Sequence, residues 1–197
     1  MNGSEPIALL PSSGLGIYKI WEGLYQSGIP ETFEDWDTVW GLVDVVVSLG
    51  SLTSSGGPAP ASANLHIPEG KIEIAWNIPD GPVPNESFLL QLAETVAVWV
   101  SNRHAVLIHC GAGINRSGLL SALVVRRLTG ESGRVCAEHV RQHKPGSLIN
   151  GDFNTYLNSL PELEPEEFPE LEENEVNEQP RLSAGPTDTG DPEADRQ

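Results

Sequence analysis

The chain of 197 residues has only two cysteines, Cys110 and Cys136. Two thiols cannot build a disulfide scaffold, and free thiols fit a reducing cytosol. Cations are scarce as well: 11 Lys and Arg stand against 28 Asp and Glu, for a net charge of −17. A chain of that sign repels phosphate backbones and anionic lipid, which argues against bulk nucleic-acid binding and membrane binding. A local positive site for a small anion remains open. Long apolar runs are missing too, since "LLQLAETVAVWV" is short and broken by Glu94. The opening "MNGSEPIALLPSSG" lacks the basic start and long apolar stretch of a secretory signal. A soluble, cytoplasmic protein is expected.

What acid there is gathers at one end. Residues 162–197 hold 13 acids against two Arg and are rich in Pro and Glu, with few apolar side chains. Such a segment buries too little surface to offset its ordering entropy and reads as a disordered acidic tail. It is a solubilising appendage or a contact for an unidentified partner. Residues 1–14 read as a flexible N-terminus. The length left between, 15–161, suits one domain with a real core.

Within that domain apolar patterning alternates between two periods. "KIWEGLYQSG" (19–28), "VDVVVSL" (43–49), "KIEIAWNIP" (71–79) and "AVLIH" (105–109) read as strands. The nearly continuous apolar run at 43–49 suits a strand covered on both faces. Helices are expected over 30–42, 85–103, 117–130, 133–143 and 151–160, with Asn85 capping the second and Gly130 ending the third. Residues 50–64 read as a flexible loop. The alternation predicts an α/β fold: a central, mostly parallel twisted sheet of four to five strands with helices on both faces.

The chemistry concentrates in "LIHCGAGINRSGLLSA" (107–122). Cys110 falls at the carboxyl end of a buried strand, where open α/β sheets bind ligands. Gly111, Ala112, Gly113, Ile114 and Asn115 form a small, flexible turn whose backbone amides can line an anion nest, and the following helix adds its positive end. Arg116 supplies a planar fork that matches two phosphoryl oxygens. The same positive field favours the thiolate of Cys110, a nucleophile poised beneath a bound phosphoryl group. No Lys follows Gly118, so the nucleotide-binding Gly-Lys-Ser/Thr consensus is not met. The two cysteines lack the paired spacing of a zinc site.

"HCGAGINRSG" (109–118) resembles the His-Cys-x5-Arg-Ser/Thr signature of the cysteine-dependent protein tyrosine phosphatase superfamily, and its compact dual-specificity branch in particular. "GLYQSGIPE", "VVVSL" and "VRQHKPGSLINGDFNTYL" are similar to other parts of that branch, so that about residues 15–160 are covered. The resemblance implies a phosphatase-like fold and a catalytic domain over 15–161. It implies hydrolysis of phosphotyrosine, and also of phosphoserine or phosphothreonine, through a cysteinyl-phosphate, with no metal and no organic cofactor. By the same resemblance Cys110 is the nucleophile, Arg116 the phosphoryl clamp and Ser117 the hydrogen-bond donor to the departing thiolate. His109 braces the loop or is a packed core histidine. The family's general acid lies on a loop upstream, and Asp80 in "AWNIPDGPVPN" stands 30 residues before Cys110. A plain Pro-Asp-Gly turn is the alternative for it. Asp35, Asp37, Asp44 and Asp152 are weaker rivals for the acid. Asn150 caps the last helix, or ties its loop to the active site. Cys136 reads as core packing.

Two other functions compete. RNA 5′-triphosphatases of the same superfamily also place Asn before the Arg, as Asn115 does, but dispense with the acid and act on a strongly negative polymer. A catalytically weak phosphate-binding module is the other rival. A phosphoinositide substrate is disfavoured by the lack of a Lys in the five-residue loop.

Overall fold

The computed structural model describes residues 5–50, 67–83 and 85–164. Eleven elements follow one another: β1 (Ala8–Leu9), β2 (Gly16–Trp21), β3 (Leu24–Ser27), α1 (Phe33–Trp40), β4 (Val45–Leu49), β5 (Ile72–Trp76), α2 (Glu86–Ser101), β6 (Val106–His109), α3 (Arg116–Thr129), α4 (Gly133–His143) and α5 (Gly151–Ser159). The strands form one sheet in the order β1-β2-β3-β6-β4-β5. The four from β3 to β5 run parallel, and β1 and β2 are added antiparallel at one edge. The innermost strands carry the greasiest sequences: every residue of β4 and β6 is buried, as burial on both faces requires.

Alternation along these strands divides the core. Val45, Val47, Leu49, Val106 and Ile108 pack against the apolar stripes of α2, α3, α4 and α5. Val46 and Leu107 point the other way, into a smaller cluster with Trp36, Val39 and Trp40 of α1 and with Leu10 and Ile17. Helices therefore cover both faces, four on one side and one on the other. No helix among the described residues is long and apolar enough to cross a membrane.

Several boundaries differ from the sequence expectation, each for a local reason. Residues 19–28 are not one strand. Gly23, at φ +77°, turns the chain so that Trp21 pairs with Leu24, and a hairpin of β2 and β3 results. With β1 this raises the sheet from four or five strands to six. Residues 5–14 are not loose either. Ala8 and Leu9 pair with Ile17 and Gly16, and Leu10 is fully buried beside the tryptophans of α1. Helix α1 starts at Phe33 rather than at Pro30, because Thr32 and Asp35 close a reciprocal capping box there. At the far end, the amide of Leu163 donates to Gly130 O (2.6 Å) and Arg126 donates to Pro161 O, so the chain is still attached at residues 161–163. The remainder of the acidic tail, 165–197, and residues 51–64 of the predicted flexible loop lie outside the described residues.

Asp35, a rival for the general acid, is consumed by this architecture. Its carboxylate accepts from the Ser12 amide (2.9 Å) and hydroxyl and from the amides of Glu31 (2.8 Å) and Thr32 (3.1 Å). Burial would raise its pKa, but the Ser12, Glu31 and Thr32 hydrogen bonds prevail and bring it down to about 2. Asp44 is spent at the opposite end of the sheet from Cys110, on the Ala105 amide (3.0 Å) and Lys71 Nζ (3.1 Å). Asp37 is exposed on α1.

Because the folded carboxyl of Asp35 binds its proton less tightly than the ordinary carboxyl at 3.8, its stabilisation is complete above pH 4 and lost as pH falls toward 2. Asp35→Ala is expected to lower unfolding free energy by about 2 kcal/mol at neutral pH. In urea titrations the gap to wild type should close as pH drops from 4 to 2.

Candidate active site

The parallel strands end together, and the loop after β6 carries Cys110. That loop is gripped from outside through its carbonyls. Ile29 N donates to Gly111 O (3.0 Å), Gln26 Nε2 to Gly113 O (2.9 Å) and Leu148 N to Ile114 O (3.1 Å). The amides of residues 111–115 have no hydrogen-bond partner among the described residues. Gly113 is obligatory for this path. Its φ is +68°, and a Cβ there would lie 2.4 Å from the backbone of Ser27 and Gly28.

Arg116 opens α3, and Asn115, its N-cap residue, gives that helix no side-chain cap. The first turn holds no acid, so the helix end keeps its unsatisfied amides and positive potential. The Arg116 side chain lies against Gly50, where a Cβ would come within 1.9 Å of Nη1. Its Nε is buried without a hydrogen-bond partner. Cys110 is buried, with Sγ 3.3 Å from Ser117 Oγ, and Ser117 is wholly inaccessible.

Asp80 is brought to the same place. Its Oδ1 accepts from Asn150 Nδ2 (2.8 Å) and its Oδ2 from Asn115 Nδ2 (3.1 Å). The loop bearing it is steadied by buried Ile78 and by Trp76 stacked on Phe88 at 3.9 Å. Asn150 also caps α5, accepting from the amides of Asp152 (2.9 Å) and Phe153 (3.2 Å). Asn150 therefore both caps α5 and joins the start of that helix to the Asp80 loop. Asp152 lies exposed in the first turn of α5.

His109 stands behind the loop in a polar row that crosses three strands. His109 Nε2 is 2.7 Å from Ser48 Oγ, and Ser48 Oγ donates to Glu73 Oε1 (2.8 Å). A carboxylate only accepts, so the single Ser48 proton goes to Glu73 and His109 Nε2 must be the donor to Ser48. Trp36 meets the ring edge-on at 5.9 Å. Burial first, and the charge of Arg116 in addition, pull the imidazole down to about 4 against a backbone hydrogen bond at Cys110. Cys136 lies in the core on α4, where burial pushes its thiol up to about 11. Among the described residues no three His, Cys, Asp or Glu side chains could hold a metal ion.

Sequence reasoning missed Gln26, Ser48, Gly50, Glu73 and Lys144. Gln26 bridges Gly113 O to Ser147 Oγ. Lys144 is buried over the Tyr18 ring at 5.1 Å, and burial lowers its pKa while Cys110 acts to raise it. A polar residue at the end of an apolar strand, as in "LYQS" and "VVVSL", is the only signal that the sequence offers for two of them.

The six-stranded sheet with helices on both faces is the fold of solved tyrosine and dual-specificity phosphatases. The chain is similar to Tk-PTP in its active form, with 23% identity over 72% of this chain and 95% of that one at a TM-score of 0.58. It is similar to a mouse putative dual specificity phosphatase complexed with zinc tungstate (17%, 80% and 90%, TM-score 0.55) and to human DUSP28 (18%, 78% and 94%, TM-score 0.54). No curated protein matches it by sequence. The model of the family described as Cyclin-dependent kinase inhibitor 3 (CDKN3) matches residues 32–134, just over half of the chain, and the protein belongs to that family.

A histidine that is more acidic folded, at about 4, than its ordinary 6.5 stabilises the fold fully above pH 6.5 and progressively less down to pH 4. His109→Gln, which keeps a donor near Nε2, is expected to remove up to about 3 kcal/mol of the stability change across that window. Unfolding titrations at pH 4, 5.5 and 7 read the difference.

Proposed function

We propose that the protein is a phosphatase for phosphorylated proteins, acting on phosphotyrosine and also on phosphoserine or phosphothreonine through a cysteinyl-phosphate. The observation that carries the reading is the set of free donors around one buried sulfur: the amides of residues 111–115 and the orphaned Nε of Arg116. Donors so placed take up the three non-bridging oxygens of a phosphoryl group. The Cys110 thiolate attacks phosphorus as the ester bond breaks, and Asp80 gives a proton to the leaving oxygen. Water then attacks the phosphoryl group with Asp80 accepting its proton, and the sulfur leaves as a thiolate beside the Ser117 hydroxyl.

The hydrogen bonds holding Asp80 at this loop favour the acid-assisted reading over the RNA 5′-triphosphatase reading, which needs no such group. The absence of Lys from the five-residue loop favours a phosphoprotein over a phosphoinositide. Retention of both Cys110 and Arg116 favours an enzyme over a phosphate-binding module.

The test is a panel of phosphopeptides, phosphoinositides and triphosphate RNA. Phosphopeptide turnover is expected to vanish in Cys110→Ser, to fall about 10²–10³-fold in Arg116→Ala and about 10²–10⁴-fold in Asp80→Ala. Release of phosphate from triphosphate RNA that Asp80→Ala leaves untouched would replace this reading with the triphosphatase. Vanadate binding without turnover of any ester would replace it with the binding module.

A further inference from the structure

Asn115 is spent in an unexpected way. An Asn at a helix N-cap ordinarily bonds the amides of the first turn, a contact worth about 1 kcal/mol. Asn115 makes no such bond to α3. Its Oδ1 accepts instead from the amides of Ile149 and Asn150, each at 3.0 Å, and its Nδ2 donates to Asp80 Oδ2 at 3.1 Å. Asn150 Nδ2 completes a ring by donating to Asp80 Oδ1 at 2.8 Å. Three segments distant in sequence meet in that ring: the Cys110 loop, the Asp80 loop and the start of α5.

Resting on the phosphatase reading above, we propose that Asn115 is a positioning residue for the general acid. Its side chain suspends Asp80 at the phosphoryl site, while only its backbone serves the phosphate. The residue type is demanded by the geometry. An amide alone offers an acceptor oxygen for two backbone N–H groups and a donor nitrogen for a carboxylate on one short side chain. A Ser hydroxyl has a single proton and too short a reach. An Asp would keep the bonds to residues 149 and 150 but set a second negative charge against Asp80.

The consequence is dependence on the leaving group. An ester with a poor leaving group, such as phosphotyrosine or an alkyl phosphate, needs the proton of Asp80. An activated aryl ester with an acidic phenol needs it far less. Misplacement of a catalytic group by about 1 Å costs about 10²-fold, so Asn115→Ala and Asn115→Asp should each lower kcat on a phosphotyrosine peptide about 10–10²-fold. On the activated ester the fall should be no more than about threefold, with vanadate affinity held within about twofold. Asp80→Ala combined with Asn115→Ala should be no slower than Asp80→Ala alone, because the two act as a unit. In 15N-labelled protein, the Asn115 side-chain amide resonances should shift in Asp80→Ala.

Equal losses on both esters with weakened vanadate binding would overturn the inference, since Asn115 would then act on the phosphate itself. Additive losses in the double variant, or Asn115 amide resonances indifferent to Asp80, would overturn it as well. Those results leave the phosphatase reading standing. Wild type that turns over neither ester would fell the phosphatase reading, and the positioning role with it.

Discussion

The site depends on a backbone inverted with respect to its surroundings. Between Cys110 and Arg116 the carbonyls of Gly111, Gly113 and Ile114 are taken up by Ile29, Gln26 and Leu148, two of them at the end of β3 and the third just before α5. A peptide plane whose carbonyl is held on one side presents its N–H on the other. The loop thereby acquires a concentration of unpaired donors that nothing in its own composition supplies. Leu148 adopts φ +59°, an uncommon conformation for a branched side chain, just where its amide reaches Ile114 O. That strain is local to the contact that holds the loop open.

Around this loop the fold works by dividing its polar groups between structure and chemistry. Asp35 and Asp44 each meet backbone donors, one at the mouth of α1 and one at the amino end of the sheet, and neither is free for proton transfer. Asp80 differs because its partners are two side-chain amides, those of Asn115 and Asn150. His109, although it adjoins the sulfur in sequence, is held neutral and directed away through Ser48 to Glu73. A neutral imidazole leaves Arg116, Lys144 and the loop amides as the positive groups around Cys110.

Some of this was legible residue by residue. The Cys-x5-Arg spacing located the donors, and Asp80 stood out as an acid on a loop beyond a strand. The hairpin of β2 and β3 was not legible, because "IWEGLY" keeps its apolar residues on both sides of Glu22-Gly23 and masks the turn. The ordering of residues 5–14 was hidden for another reason. Leu10 and Ser12 find their partners, Trp36 and Asp35, more than 20 residues away, and no local pattern announces such contacts.

The amino-acid order alone determines the alternation of strands and helices, the buried centre of the sheet and the loop that carries Cys110 and Arg116. It does so because periodicity, glycine and charge act over a few neighbouring residues. Only the folded chain decides which acid lies beside the Cys110 loop and which are bound into the scaffold. It also decides that Gly50 makes room for the guanidinium, and that Asn115 turns from its helix to Asp80 and α5. Those outcomes rest on hydrogen bonds between residues 34 to 70 positions apart, and such bonds exist only once the carboxyl ends of the parallel strands have been brought side by side.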